Sequence, residues 1–320
     1  MTIFTLLSRP GIWLTDYLLG MQQYPQASIR FGFSAQYRDM DFTNRLAVEV
    51  SHGGNTSTII IDTDDPAYNT QLAMAARCQW LFASNKLLHH TYPDNVVSLA
   101  PHFPVRLTSF WLKAFARTAN WRFLKMLYSG RRLPVLPNTP ASTRFSGEGP
   151  FPVFYKRTLW KREAHTNDLG AQFIRLARKH PALQFTGGLF RADGFCPPEY
   201  ADVFYAEKIP PRRYLQLMLN SYFVLNSPAS KGANSWRLGE YLCYGKCILT
   251  VPFQAEVPAA LRADVHYIPI TTNTLQSEMD RLVANPALVT ETGKAAQHFW
   301  IQYCSPQKQI EFILKYCGLI

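Results

Sequence analysis

The run from Tyr222 to Pro252, YFVLNSPASKGANSWRLGEYLCYGKCILTVP, constrains what this chain can fold into more than any other stretch. Tyr222 to Leu225 is a short apolar block bounded by polar residues, which predicts a buried strand. A polar loop containing Gly232, Asn234 and Ser235 follows, then the helical pattern RLGEYLCYG closed by Gly245, then a second apolar strand from Cys247 to Val251. Strand, loop, helix and strand in that order make a crossover unit of a parallel sheet. The loop and helix start after the first strand offer backbone N–H groups and a partial positive charge, which suit a diphosphate. Ser235 adds a hydroxyl and Arg237 a planar fork for phosphate oxygens. Glu240, one turn further, can accept hydrogen bonds from ribose hydroxyls. Singly, Arg237 and Glu240 are what any helix surface carries; it is their combination with the loop that points to a ligand.

The same alternation extends through the second half. PVFYKRTLW predicts a strand, a helix follows over about 167–179, and LQFTGG predicts another strand. VFYAEKIP reads as a further strand, followed by a helix over 211–220, and VHYIPI as the last strand before helical stretches over 275–303 and 306–317. Lys156 and Arg157 end the first of these strands, where basic side chains can neutralise a departing pyrophosphate. Glu207 and Ile209, in YAEKI, end a strand that can present backbone groups to a nucleobase. In the first half TIII (58–61), a helix at 67–77, WLFA (80–83) and VVSL (96–99) give the same parallel α/β rhythm. The Pro-, Gly- and Ser/Thr-rich segment 133–152 is the best linker in the chain. The division that follows is an N-terminal domain over 1–140, a C-terminal domain over 150–300, and closing residues 301–320 that return to the first.

At 320 residues the chain has room for two cores, and 47% hydrophobic against 17% charged residues excludes a disordered polymer. A formal net charge of +11 favours an anionic partner: a phosphorylated small molecule, an acidic membrane surface or nucleic acid. The six cysteines follow no disulfide or zinc spacing and read as reduced thiols. Arg9, Pro10 and Asp16 interrupt the apolar N-terminus, which argues against a signal peptide, and no apolar run is long enough to span a bilayer.

The 222–252 segment resembles the donor-binding region of GT-B glycosyltransferases, and is most similar to the exostosin-like and capsule-associated or protein O-glucosyltransferase branches. Their pattern runs Phe-x-Leu, Gly, Ser-x-Arg, helix and short apolar strand. The resemblance covers about 150–320, and the final helices look like those that return to the N-terminal domain in such enzymes. It implies two Rossmann-like α/β domains facing across a cleft. It also implies a nucleotide-sugar donor, UDP- or GDP-linked, with Ser235 and Arg237 on its diphosphate and Glu240 on its ribose, and with no cofactor or essential metal. Retaining members often carry a second glutamate eight residues before the first; here that position is Gly232, a departure from their arrangement.

A transferase of this kind also needs a base for the acceptor hydroxyl. Asp62 and Asp64, after the TIII strand, are the first candidates, although Asp65-Pro66 also fits ordinary helix capping; His52 and His102 are weaker ones. The same DTDD admits a metal-dependent GT-A reading in which Asp62 and Asp64 hold a divalent cation. Residues 108–132 interleave aromatics with Lys113, Arg117, Arg122, Lys125, Arg131 and Arg132, as an interfacial membrane helix does, although a self-packed helix with snorkelling cations has the same pattern. The expected partners are therefore a glycan, lipid-linked or protein acceptor and an anionic membrane surface, with the protein on its cytoplasmic face. A non-enzymatic basic nucleic-acid-binding protein is the rival class, and no known nucleic-acid module supports it.

Overall fold

The computed structural model describes residues 1–137, 150–257 and 261–320. Within the expected linker, positions 138–149 lie outside the described residues. The chain divides into two compact units, Met1–Pro137 with Gln254–Ala259 and Ile301–Ile320, and Asn138–Phe253 with Ala260–Trp300.

The first unit is built on a six-stranded sheet. Its strands are β1 (Thr2–Leu6), β2 (Ala27–Phe31), β3 (Arg45–His52), β4 (Asn55–Asp62), β5 (Trp80–Ala83) and β6 (Val96–Ser98), in the spatial order β2-β1-β3-β4-β5-β6. Its helices are α1 (Thr15–Gln23), α2 (Tyr68–Ala75), α3 (Thr108–Thr118) and α4 (Arg122–Gly130). The pairs β4–β5 and β5–β6 are parallel, as the sequence rhythm implies, and β1–β2 is parallel as well, but β3 runs antiparallel to both neighbours. The sheet is therefore mixed. The cause is local: Gly53 and Gly54 both take positive φ (57° and 90°), which closes a two-residue hairpin between β3 and β4. The expected single helix over 108–132 is also interrupted. Ala119 adopts a left-handed conformation (φ 51°), and Asn120 Oδ1 accepts from the Arg122 N–H at 3.0 Å to cap α4.

The second unit contains β7 (Phe151–Thr158), α5 (Ala164–Lys179), β8 (Leu183–Phe190), α6 (Pro211–Asn220), β9 (Phe223–Asn226), α7 (Trp236–Cys243), β10 (Cys247–Thr250), β11 (Ile268–Pro269), α8 (Leu275–Ala284) and α9 (Pro286–Phe299). β7 pairs with β8 and β9–β10–β11 pair in line, all parallel. The Tyr222 N–H donates to the Pro152 carbonyl at 2.6 Å, which sets β9 beside β7. One core cluster, including Tyr155, Phe173, Phe223, Leu249 and Met279, runs through the whole unit. Two expectations fail here. VFYAEKIP forms no strand: only the Leu189–Phe204 bridge and the Tyr205 N–H bond to Leu189 O (2.7 Å) attach it to β8. The helix expected over 275–303 breaks before Pro286, whose missing N–H and fixed φ start a new helix capped by Asn285.

The last helix, α10 (Pro306–Tyr316), packs on α1 within the first unit. Ile310, Ile313 and Leu314 join the core of Phe4, Leu6 and Tyr17, and the Tyr17 hydroxyl meets Gln309 Oε1 at 3.2 Å. Gly20 makes the approach possible, because a Cβ there would lie 2.2 Å from the Pro306 carbonyl oxygen. All six cysteines are free thiols.

Candidate functional site

The site begins where β9 ends. Residues Phe223–Asn226 are wholly buried, and the Asn226 amide donates to Thr250 Oγ1 at 3.0 Å, tying the carboxyl ends of β9 and β10 together. The chain then turns through Lys231 and Gly232, both at positive φ (55° and 77°). Glu163 holds that turn: its Oε1 accepts from the Lys231 N–H at 2.8 Å and from the Ser230 hydroxyl at 3.4 Å. Gly232 is buried, and Asn234 is half-buried just ahead of the helix. Ser235 caps α7, its Oγ accepting from the Arg237 N–H at 3.3 Å, so this amide is already satisfied. The hydroxyl proton of Ser235 is still available to donate outward. Gly245, at φ 60°, ends the helix, and the Lys246 N–H returns to the Tyr241 carbonyl at 3.0 Å.

Arg237 lies in a nest of phenols. Its guanidinium is 5.7 Å from the Tyr214 ring centre and 5.8 Å from that of Trp236. Burial works against its charge, but Tyr214, Tyr241, Tyr155 and Glu240 outweigh that and hold it more firmly protonated than usual. Glu240 is 2% exposed. Burial pushes its carboxyl up to about 7, against the opposing pull of Arg237 and the Tyr214 hydroxyl, and its Oε2 has no hydrogen-bond partner.

Arg157 reaches the same loop from β7. Buried at 6% exposure, it donates to the Ser227 carbonyl at 2.9 Å and also to Ser227 Oγ and the Pro228 carbonyl. Its Nε has no acceptor. Burial lowers its affinity for a proton, and the like charge of Arg237 acts in the same direction. Two guanidiniums of like charge, one of them with a buried Nε that has no acceptor, form a site that an anion relieves.

Lys156 is on the other face of β7, since successive strand residues point opposite ways. Its ammonium donates to the Glu207 carbonyl and lies 4.8 Å from the Phe190 ring centre and 5.1 Å from that of Tyr205. Glu207 turns its carboxylate to the Tyr205 hydroxyl, and Ile209 is half-buried ahead of α6. Arg157, Ser235, Arg237 and Glu240 are thus brought to one loop and helix, while Lys156 and Glu207 are paired elsewhere on the strand ends. Tyr155, Tyr214, Tyr241, Ser227 and Glu163 do not stand out in the sequence. Tyrosines in a buried strand or helix face need a polar partner for the hydroxyl, and that is the one signal they carry; the Tyr155 hydroxyl finds Ser227 Oγ at 3.0 Å.

In the first unit, Asp62 ends β4 and is 1% exposed. Arg45 Nε lies 3.1 Å from Asp62 Oδ1, Arg45 Nη2 lies 2.7 Å from Asp64 Oδ2, and Gln71 Nε2 reaches Asp62 Oδ2 at 3.4 Å. A guanidinium already bridges the two carboxylates that a GT-A reading would give to a divalent cation. Burial raises Asp62 to about 6 despite Arg45. Asp64 keeps about a third of its side chain exposed (34%), with Asn44 Nδ2 on its Oδ1 at 3.1 Å. His102 is half-buried beside Tyr17 and its loss of solvent lowers it to about 4, and His52 Nδ1 meets Thr2 Oγ1 at 2.8 Å.

Residues 162–315 match the family model described as Glycosyl transferase-like. No curated protein matches the chain. Among solved structures, WaaG, a glycosyltransferase involved in lipopolysaccharide biosynthesis, is similar over 79% of this chain and 74% of its own, at 13% identity and a TM-score of 0.44. A glycosyltransferase from Rickettsia africae is similar over 80% and 69%, at 11% identity and 0.45. HepE from Anabaena, in complex with UDP and glucose, is similar over 78% and 66%, at 14% identity and 0.43. Overlaps this loose carry no argument about chemistry, which rests on the residues themselves. Two α/β units, with a closing helix packed into the first, are the elements of a GT-B fold, and the family match falls on residues 162–315.

Proposed function

We propose that this glycosyltransferase takes its sugar from a nucleoside diphosphate donor, UDP- or GDP-linked, whose diphosphate binds Arg237, Arg157, the Ser235 hydroxyl and the Gly232–Asn234 loop. The observation that carries this reading is a pair of buried polar atoms without partners, Arg157 Nε and Glu240 Oε2, with the Arg237 charge acting on both side chains. A diphosphate answers the first need and a ribose hydroxyl, donating to Glu240, answers the second. As the glycosidic bond breaks, negative charge grows on the departing diphosphate, and two fixed guanidiniums stabilise it without a metal. Lys156, Glu207 and Ile209 border this region as supports for the nucleotide, with the Lys156–Glu207 bond fixing the strand end.

For the acceptor hydroxyl we assign Asp64 as the base in preference to Asp62, because Asp64 is the one that solvent reaches. The acceptor is a glycan, lipid-linked or protein hydroxyl, and within the GT-B fold the exostosin-like and capsule-associated branches are our finer assignment. No helix among the described residues is long and apolar enough to cross a membrane. The reading places the protein on the cytoplasmic membrane face, touching it through residues 108–132. A thermal-shift panel of UDP, GDP and CMP, with and without chelator, tests the donor assignment. Protection by a nucleoside diphosphate that persists in chelator supports it, and protection by none of them contradicts it.

A further inference from the structure

β2 is an edge strand, and beside it α1 and α3 leave a groove of about 410 Å³. Ala27, Ile29 and Phe31, half-buried along β2, line one side, and Ser109, Lys113 and Arg117 line the other, over the buried Met21 and Phe110. The last three are four residues apart, so they stack in a row along α3. Both cations are exposed, and neither has an ion-pair partner among the described residues. The groove starts at the C-terminal end of α1 and the first residue of β2, away from the strand ends that carry Asp62 and Asp64.

We infer that this groove holds one anionic phospholipid of a bilayer, its phosphate on Lys113 and Arg117 and the first methylenes of its acyl chains against Ala27, Ile29 and Phe31. Its volume lies within the roughly 300–1,000 Å³ of small-ligand sites, enough for a headgroup and the neck of a lipid. Charge complementarity is one-sided: the sequence has no Asp or Glu between Asp94 and Glu148, while 108–132 alone holds six Lys and Arg. Exposed apolar side chains lie on α3 and on α4 with its first-turn neighbour. Leu112 is 47% exposed, Trp121 65%, Leu124 39% and Tyr128 65%. Trp121, Leu124 and Tyr128 recur at helical spacing on α4, so they form a single face that can enter the headgroup layer beside Lys125. The inference depends on the reading above only for the membrane contact, and it turns that contact into a defined lipid site.

The test is sedimentation of the full chain with phosphatidylcholine vesicles, with and without phosphatidylglycerol, and no nucleotide present. Binding is expected only with phosphatidylglycerol. Each surface charge removed costs about fivefold near an anionic bilayer, so the Lys113→Gln, Arg117→Gln double variant should bind roughly 25-fold more weakly. Ile29→Trp fills the groove while leaving every charge in place, and it should also weaken binding. Wild-type failure to bind anionic vesicles overturns the proposal, as does unchanged binding by the double variant. Unchanged binding by a folded Ile29→Trp variant would show a charged surface with no lipid site. Capture of an oligonucleotide in place of vesicles would overturn it in favour of nucleic acid. Protection by UDP or GDP, measured separately, reports on the donor site alone.

Discussion

The backbone N–H of Lys231 is fastened to the carboxylate of Glu163 at 2.8 Å, a bond between the start of α5 and the loop that leads into α7. Lys231 holds a left-handed φ of 55°, an unfavourable setting for a side chain other than glycine, and the bond offsets part of that cost. Glu163 thus pre-sets the loop proposed to receive the donor. Glu163→Ala should raise KM for the donor about tenfold and change kcat little, since it loosens a loop without touching a reacting atom. Equal losses in both constants would instead put Glu163 in the chemistry.

Glu240 carries a pH signature. Its carboxyl is raised from about 4.5 unfolded to about 7 folded, burial being the main cause. The folded state therefore holds the proton more tightly, so stability falls as pH rises from 4.5 to 7 and stays lower above that. Glu240→Gln removes the liability, of the order of 3 kcal/mol. The variant should melt above wild type at pH 8 and level with it near pH 4.5, while binding a nucleoside diphosphate more weakly. Parallel melting curves across that range would show that Glu240 is not buried as described.

The two aspartates of the first unit should separate. Asp62→Ala strips a partner from Arg45 and Gln71 in a sealed environment and should cost about 3 kcal/mol of stability, read by denaturant melting. Asp64→Asn should leave stability within about 0.5 kcal/mol and lower kcat by about 10²–10⁴, with donor affinity unchanged. Full turnover in Asp64→Asn would remove it as the base.

Gly20 tests the closing helix. Its substitution by Ala drives a methyl group into the Pro306 backbone, so α1 and α10 must move apart. A loss of about 1–3 kcal/mol is expected for such overpacking. Faster proteolysis near residues 306–316 would accompany it.

How much of this was legible in the sequence depends on how local the cause was. The α7 unit is legible because its apolar strands, capping Ser235 and terminal Gly245 are consecutive in the chain. The hairpin that turns β3 against the sheet hinges on two glycines in a weakly apolar stretch, where periodicity gives little signal. Pro286 and Ala119 divide helices that periodicity alone runs together. The site shows the same limit. Arg157, Arg237 and Glu240 stand out as charges near strand ends, whereas Tyr155, Tyr214 and Tyr241 look like core residues until folding brings them around one guanidinium. The separation of Lys156 from Arg157 follows from strand alternation alone, and it is readable from their adjacency.

The central claim is that the Arg237 guanidinium grips the donor diphosphate, and titration calorimetry of the preferred nucleoside diphosphate against wild type and Arg237→Ala tests it directly. A half-buried charge-assisted contact of this kind predicts a loss of affinity of at least about 30-fold in a variant that still folds, partly recovered by Arg237→Lys. Equal affinity in wild type and Arg237→Ala would contradict the account.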